Sequence, residues 1–208
     1  DLLVLPLNIE PDGLYAPIRY ALSVGGKRLR PVLMMLAYEL WKENGEDVLQ
    51  QAVALEMYHN FTLLHDDVMD NADMRRGRPT VHKKWDVNTA ILSGDNMLCL
   101  AVKWMGADPK VARTFVDTMI EINHGQQFDV DFEKRDDVTE AEYIEMIRLK
   151  TSVLLACALK IGALMAGAPQ EDVERLYDFG VSLGLAFQLQ DDYLDVYGDP
   201  EKFGKKIG

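Results

Sequence analysis

From Val48 to Asp70 the chain reads VLQQAVALEMYHNFTLLHDDVMD, and apolar residues recur through it at spacings of three and four. That spacing is the period of an amphipathic helix. It continues almost throughout the 208 residues, while the strict alternation of a half-buried strand is absent, so the fold class expected is all-α. No internal repeat or low-complexity tract interrupts the pattern. Working outward from Val48–Asp70, Pro31 can occupy a first helical turn. The nearly solid apolar run Val32 to Trp41 predicts a helix buried on most sides, ended by Asn44-Gly45. Gly77-Arg78-Pro79 breaks the chain after the Val48–Asp70 helix. A third helix is predicted over Asn88 to Met105, turned by Gly106-Ala107-Asp108-Pro109, and a fourth reaches Asp131. Two more run from Glu140 to Ala166 and from Glu171 to Tyr197, separated by Gly167-Ala168-Pro169, before Gly198-Asp199-Pro200. Six long helices with short connectors imply a bundle whose sites lie between facing helices.

Thirty-four acidic against 22 basic side chains give a formal net charge of −12 and a pI near 4.7. Such a surface repels phosphate backbones, and no basic face overrides it, so nucleic acid is not an expected partner. With 48% hydrophobic and 27% charged residues the chain can bury a core and is expected to be a soluble, single globular domain. Cys99 and Cys157 read as reduced core thiols, which suggests a cytoplasmic setting. No apolar run is expected to span a membrane, and no signal peptide is visible at the start. Asp1 at one end and the abrupt Gly204-Lys205-Lys206-Ile207-Gly208 at the other suggest a chain incomplete at both ends.

The sequence Asp66-Asp67-Val68-Met69-Asp70 recurs as Asp191-Asp192-Tyr193-Leu194-Asp195, each near the end of a long predicted helix. In helical projection the first and last carboxylates of each motif lie close together and the second falls a little further round, so all three share one face. With 21 aspartates in the chain, chance yields only about 0.2 such motifs. Two occurrences therefore point to function. Crowded carboxylates repel one another unless a cation neutralises them, and hard oxygen ligands without nearby cysteines favour magnesium completed by water and phosphate oxygens. Basic groups stand close in sequence: Lys27, Arg28 and Arg30 after Gly25-Gly26, and Arg75, Arg76 and Arg78 after the first cluster. Guanidinium forks suit phosphate oxygens. Magnesium bridging carboxylates to a diphosphate, with arginines on its outer oxygens, would stabilise a departing diphosphate.

The order of these motifs resembles the all-trans polyprenyl diphosphate synthases, the family of farnesyl and geranylgeranyl diphosphate synthases. The segments that carry the resemblance are Gly25-Gly26-Lys27-Arg28-Leu29-Arg30-Pro31, Leu64 to Asp70, Arg75-Arg76-Gly77, Lys150-Thr151 and Phe187-Gln188-Leu189-Gln190-Asp191-Asp192. The resemblance covers about Tyr15 to Gly208. The resemblance implies an isoprenoid-synthase-type helical bundle with a central cavity, homodimeric, using three magnesium ions per active site. It also implies a prenyltransferase in which an allylic diphosphate ionises, is attacked by isopentenyl diphosphate, and loses a proton.

By the same resemblance Asp66, Asp70 and Asp191 are the direct metal ligands, and Asp67, Asp192 and Asp195 support them. Arg75, Lys150 and Lys205 hold the allylic diphosphate, with Thr151 and Gln188 lining the cation site. Lys27, Arg30, His59 and Arg76 bind isopentenyl diphosphate. The helical wheel places His59 almost in line with Asp66, two turns below on the same face, and Gln188 on the same side of its helix as Asp191. His65, His82 and His124 receive no role. The segment Gly125-Gln126-Gln127-Phe128-Asp129 looks like a pocket wall and receives none either.

Residues four and five positions before the first motif, Thr62 and Phe61, are expected to limit product length by resemblance. The wheel puts Thr62 on the aspartate face but turns Phe61 well away from it. A small Thr62 argues against the shortest products, so geranylgeranyl diphosphate is expected first, farnesyl next, and longer chains if Phe61 turns aside. A class I terpene cyclase would share the metal chemistry, but it needs no Lys27/Arg30/His59 set. A non-catalytic regulatory subunit would be expected to have lost motif residues.

Overall fold

The computed structural model describes residues 9–197, so Lys205 and the Gly198-Asp199-Pro200 stop lie outside the described residues. Every long element is a helix: α1 (Asp12–Ser23), α2 (Leu29–Glu39), α3 (Leu49–Met69), a short α4 (Val81–Lys84), α5 (Val87–Met105), α6 (Pro109–Phe132), α7 (Glu140–Ile147), α8 (Val153–Ala166) and α9 (Gln170–Tyr197). The all-α expectation stands. A 3-10 turn, Gly45–Val48, leads into α3, and one π-helical turn, Arg148–Ser152, joins α7 to α8.

Local chemistry sets the boundaries. Asp86 caps α5 by accepting from the Thr89 amide at 2.9 Å. Thr139 and Glu142 form a reciprocal capping box at the start of α7, which satisfies two amides that a helix start leaves unpaired. Gly167, at φ 74°, ends α8 with the Gly167 amide on the Leu164 carbonyl and the Ala168 amide on that of Ala163. These are the paired bonds of a left-handed helix stop.

The contacts divide the chain into two compact units. The first comprises described residues up to 35 and residues 44–108. Its core is built on α3 against α5, with α1 and α4 on α5, and buries Ile18, Met34, Leu55, Met57, Tyr58 and Met97. The second comprises residues 36–43 and those from 109 onward. There α8 is enclosed by α6 and α9, burying Val153, Leu155, Cys157 and Ile161.

Four features depart from the sequence reading. First, no helix was expected before Pro31, yet α1 forms with Pro17 inside it, although proline removes an amide donor inside a helix. Burial of Pro17, Ile18, Tyr20 and Leu22 outweighs it. Second, Gly77-Arg78-Pro79 belongs to a two-stranded hairpin, β1 (Met74–Arg75) against β2 (Arg78–Pro79). Its two turn residues, Arg76 and Gly77, have φ of 50° and 75°, as a two-residue hairpin turn of this hand requires. Third, α2 is not buried on most sides. Pro31, Met34, Ala37 and Tyr38 face inward, while Val32, Leu36 and Leu40 are 42%, 52% and 63% exposed along one stripe.

Fourth, the run Glu140–Ala166 is long and apolar enough to cross a membrane, with a window of mean hydropathy 1.6. No run of that length and hydropathy was expected. Because 72% of that window is buried within the protein, it has the surroundings of a core helix.

Candidate active site

In the first unit the carboxylates of Asp66, Asp67 and Asp70 crowd the C-terminal end of α3, where the helix dipole is already negative. They do not share one environment. Asp67 turns inward and is buried, Asp66 is half-buried, and Asp70 is exposed. Arg75 donates from both Nε and Nη2 to Asp67 Oδ1, each at 2.8 Å. Burial raises the Asp67 carboxyl above the usual range, and the Arg75 guanidinium opposes that rise. Arg75 is thus fixed beside the motif by its second aspartate.

Around His59 the same unit gathers cations. Arg76 donates to the Gly25 carbonyl, and Gly26 beside it sits at φ 145°, a backbone conformation that favours glycine. Arg28 donates to Glu56 and, at 2.8 Å, to the Leu22 carbonyl. Arg28 and Arg76 both adopt left-handed backbone, φ 51° and 50°. Non-glycine residues seldom do so outside functional or turn positions.

Arg30 has a buried Nε with no hydrogen-bond partner. Burial pushes its guanidinium down to about 10, with Glu56 opposing and Arg76 adding to the shift. His59 lies well below the ordinary imidazole value, first through burial and then through Arg30, Arg76, Arg75 and Arg28. Four guanidiniums here face the carboxylates of Glu56 and Asp67, an excess of positive charge that suits a polyanion. Of the residues predicted for isopentenyl diphosphate, Arg30, His59 and Arg76 are brought together, whereas Lys27 is exposed. Glu56 was missed, since only tertiary pairing joins it to Arg28.

Below the motif on α3, the Phe61 ring packs against Tyr58, at 5.5 Å between centroids, and edge-on against His65 at 4.7 Å. Thr62 turns its hydroxyl back to the His59 carbonyl at 2.8 Å. His65 in turn fills the space over Gly94 of α5, where a Cβ would stand 2.3 Å from Nε2.

In the second unit the π-helical turn carries Lys150 and Thr151. Gly125 of α6 and Gly184 of α9 let their helices approach its backbone: added Cβ atoms would lie 2.4 Å from Lys150 N and 2.5 Å from Ser152 Cα. A π turn inside a helix often marks a functional position. Lys150 Nζ pairs with Asp129, which gives a role to the segment Gly125 to Asp129. Thr151 donates to Gln188 Oε1 at 3.0 Å, and Gln188 Nε2 donates to Asp192 Oδ1 at 2.9 Å. Tyr143 donates its hydroxyl to Asp192 Oδ2, and burial with that carboxylate pushes the phenol upward. Asp192 therefore anchors a hydrogen-bonded chain, while Asp191 and Asp195 face outward. Tyr143 was also missed, because nothing local in sequence links it to Asp192.

Among the described residues no three carboxylate, imidazole or thiol groups form a protein-only metal cage. This donor set fits magnesium, which takes one or two carboxylates and leaves its other positions to water and phosphate oxygens.

Helices ending in paired aspartate motifs, one beside a cationic cluster and one beside a lysine-threonine-glutamine set, define an all-α protein of the isoprenoid-synthase class. Residues 11–208 match the polyprenyl synthetase family, and the chain belongs to that family. It is 46% identical to a geranylgeranyl diphosphate synthase of Methanosarcina mazei over 99% of this chain and 65% of that protein. A geranylfarnesyl diphosphate synthase of Natronomonas pharaonis is 42% identical over 98% of this chain and 66% of its own length. The chain thus spans just under two thirds of these curated relatives. A crystal structure of a geranylgeranyl pyrophosphate synthase superimposes with a TM-score of 0.92 at 54% identity, covering 96% of this chain and 62% of that one.

Proposed function

We propose that the protein is a prenyltransferase that condenses isopentenyl diphosphate head-to-tail with an allylic diphosphate: dimethylallyl, geranyl or farnesyl. The product is an all-trans prenyl diphosphate, geranylgeranyl first and farnesyl as the alternative. The observation that carries this reading is the gathering of Arg28, Arg30, Arg75 and Arg76 around His59, beside the first aspartate motif through the Arg75–Asp67 pair. The names of the relatives support the product class.

In this reading Arg30, His59, Arg76 and the exposed Lys27 hold isopentenyl diphosphate. Arg75 and Lys150, each kept in place by a carboxylate, turn to the allylic diphosphate, with Lys205 assigned to it by resemblance. Asp66, Asp70 and Asp191 hold magnesium, three ions in all by resemblance, and Asp67, Asp192 and Asp195 support them. Bound magnesium supplies charge neutralisation for the departing diphosphate. Thr151 and Gln188 present oxygen atoms toward the allylic cation, oriented by Asp192 and Tyr143. Phe61 and Thr62 set how far the chain grows.

The family match runs unbroken over residues 11–208, and we read them as part of one polyprenyl-synthase domain in a soluble, cytoplasmic homodimer. The test is product analysis of the full-length protein with magnesium, isopentenyl diphosphate and each allylic starter in turn. Elongation supports the reading. Cyclised product without use of isopentenyl diphosphate would replace it with a terpene cyclase, and activity only with a partner subunit would replace it with a regulatory role.

A further inference from the structure

The hairpin β1–β2 carries both Arg75 and Arg76, so whatever fixes its base fixes their aim. At that base the Thr80 amide donates to the Asp73 carbonyl at 3.1 Å, and the Thr80 hydroxyl donates to the Ala72 carbonyl at 2.7 Å. The Ala72 amide in turn donates to the Asp67 carbonyl at 3.0 Å, tying the hairpin to the last turn of α3. Tyr20 of α1 holds the other strand through its hydroxyl on the Pro79 carbonyl at 2.7 Å.

Beneath this junction lies His82, 8% exposed, with Nδ1 3.2 Å from Thr80 Oγ1. A hydroxyl has one proton. Because Thr80 Oγ1 spends its proton on Ala72, it can only accept from His82, so Nδ1 must carry the imidazole proton. Nε2 is buried with no hydrogen-bond partner, so the ring's hydrogen bonding runs through Nδ1 to Thr80.

We infer that His82 is a positioning residue: through Thr80 it locks the base of the β1–β2 hairpin in the arrangement that aims Arg75 and Arg76 at a diphosphate. The inference rests on the diphosphate-binding reading above. His82 touches no reacting atom in it, and acts by holding the segment that does the binding.

The test uses three substitutions in the full-length protein. Asn places an amide donor where Nδ1 stands, Gln places one where Nε2 stands, and Leu removes both. Binding of isopentenyl diphosphate is measured by calorimetry, KM and kcat by turnover, and the ring tautomer by long-range ¹H–¹⁵N NMR. His82→Leu and His82→Gln are expected to weaken binding about tenfold, the effect of one lost hydrogen bond, with the change in KM exceeding that in kcat. His82→Asn is expected to restore binding to within about threefold. A general loss of packing would not distinguish Asn from Gln. If the Leu variant fails to fold, Thr80→Val against Thr80→Ser applies the same contrast, because serine keeps the accepting hydroxyl. Equal effects of Asn and Gln, unchanged binding in the Leu variant, or a ring without a proton on Nδ1 would each overturn the inference and leave the function standing. Wild-type protein that binds no isopentenyl diphosphate would overturn both.

Discussion

Gly125 of α6 stands so close to Lys150 that a Cβ on the glycine would lie 2.4 Å from the Lys150 amide nitrogen and 2.7 Å from the Leu149 carbonyl carbon. Both neighbours are backbone, so no rotamer change relieves the contact. Gly125→Ala must shift the π-helical turn, and with it Lys150 and Thr151. The expected cost is about 1–3 kcal/mol of stability and about 100-fold in turnover, the scale of an ångström-level misplacement at a reacting centre. Gly180→Ala is the control, since its Cβ would meet Ala156 Cα at 2.5 Å away from any assigned group. Melting temperatures and kcat of the two variants separate the effects: both lose stability, and Gly125→Ala alone loses turnover out of proportion.

Asp66→Ala and Asp191→Ala are each expected to lower magnesium-dependent turnover by about 10²–10³-fold, through lost stabilisation of the departing diphosphate. Since no protein-only cage exists among the described residues, removing magnesium with a chelator should abolish turnover while leaving the unliganded protein's melting temperature unchanged. Full activity in either variant would sink the metal assignment.

The helices were legible because their punctuation is local. Gly106, Pro109 and Gly167 announce starts and stops within the chain itself, and the two Asp-Asp-x-x-Asp motifs need only a helical wheel. The wheel failed where one face runs from an inward edge to an outward one, which is why Asp67 is buried beside Arg75 while Asp70 is exposed. Other features depend on residues distant in sequence. The π turn at Arg148–Ser152 needs Gly125 and Gly184 from two other helices. The Arg28–Glu56 pair spans 28 positions, and Tyr143 reaches Asp192 across 49. No local propensity encodes these pairings.

The depressed imidazole of His59 gives stability a pH dependence of defined sign. The unfolded chain takes up a proton near the ordinary value of 6.5, whereas the folded ring stays neutral until well below it. Between those limits the unfolded state binds more protons, so stability is complete above about 6.5 and falls as pH drops toward the folded value. Denaturant melts across this window should show a slope that His59→Gln flattens. A bound diphosphate reverses the local field, so binding below neutral pH should take up a proton, read as a buffer-dependent heat in calorimetry. An unchanged slope in His59→Gln would refute the assignment of the folded ring as neutral.

Phe61 is the bulky side chain on α3 that stands one turn and more before the aspartates, with its ring held between Tyr58 and His65. Neighbouring Thr62 is small and its hydroxyl is engaged by the His59 carbonyl, so it offers little obstruction to an apolar tail. Phe61→Ala removes the ring and the edge contact to His65, leaving space for further isoprene units. The product distribution with farnesyl diphosphate as starter should therefore shift to chains longer than geranylgeranyl, with kcat for the first condensation unchanged within about threefold, since the reacting groups are untouched. Thr62→Phe should act in the opposite direction and shorten the product. Chromatography of the dephosphorylated alcohols reads both shifts. Identical distributions in wild type and Phe61→Ala would remove Phe61 as the length determinant and point to a different residue lining the path of the growing chain.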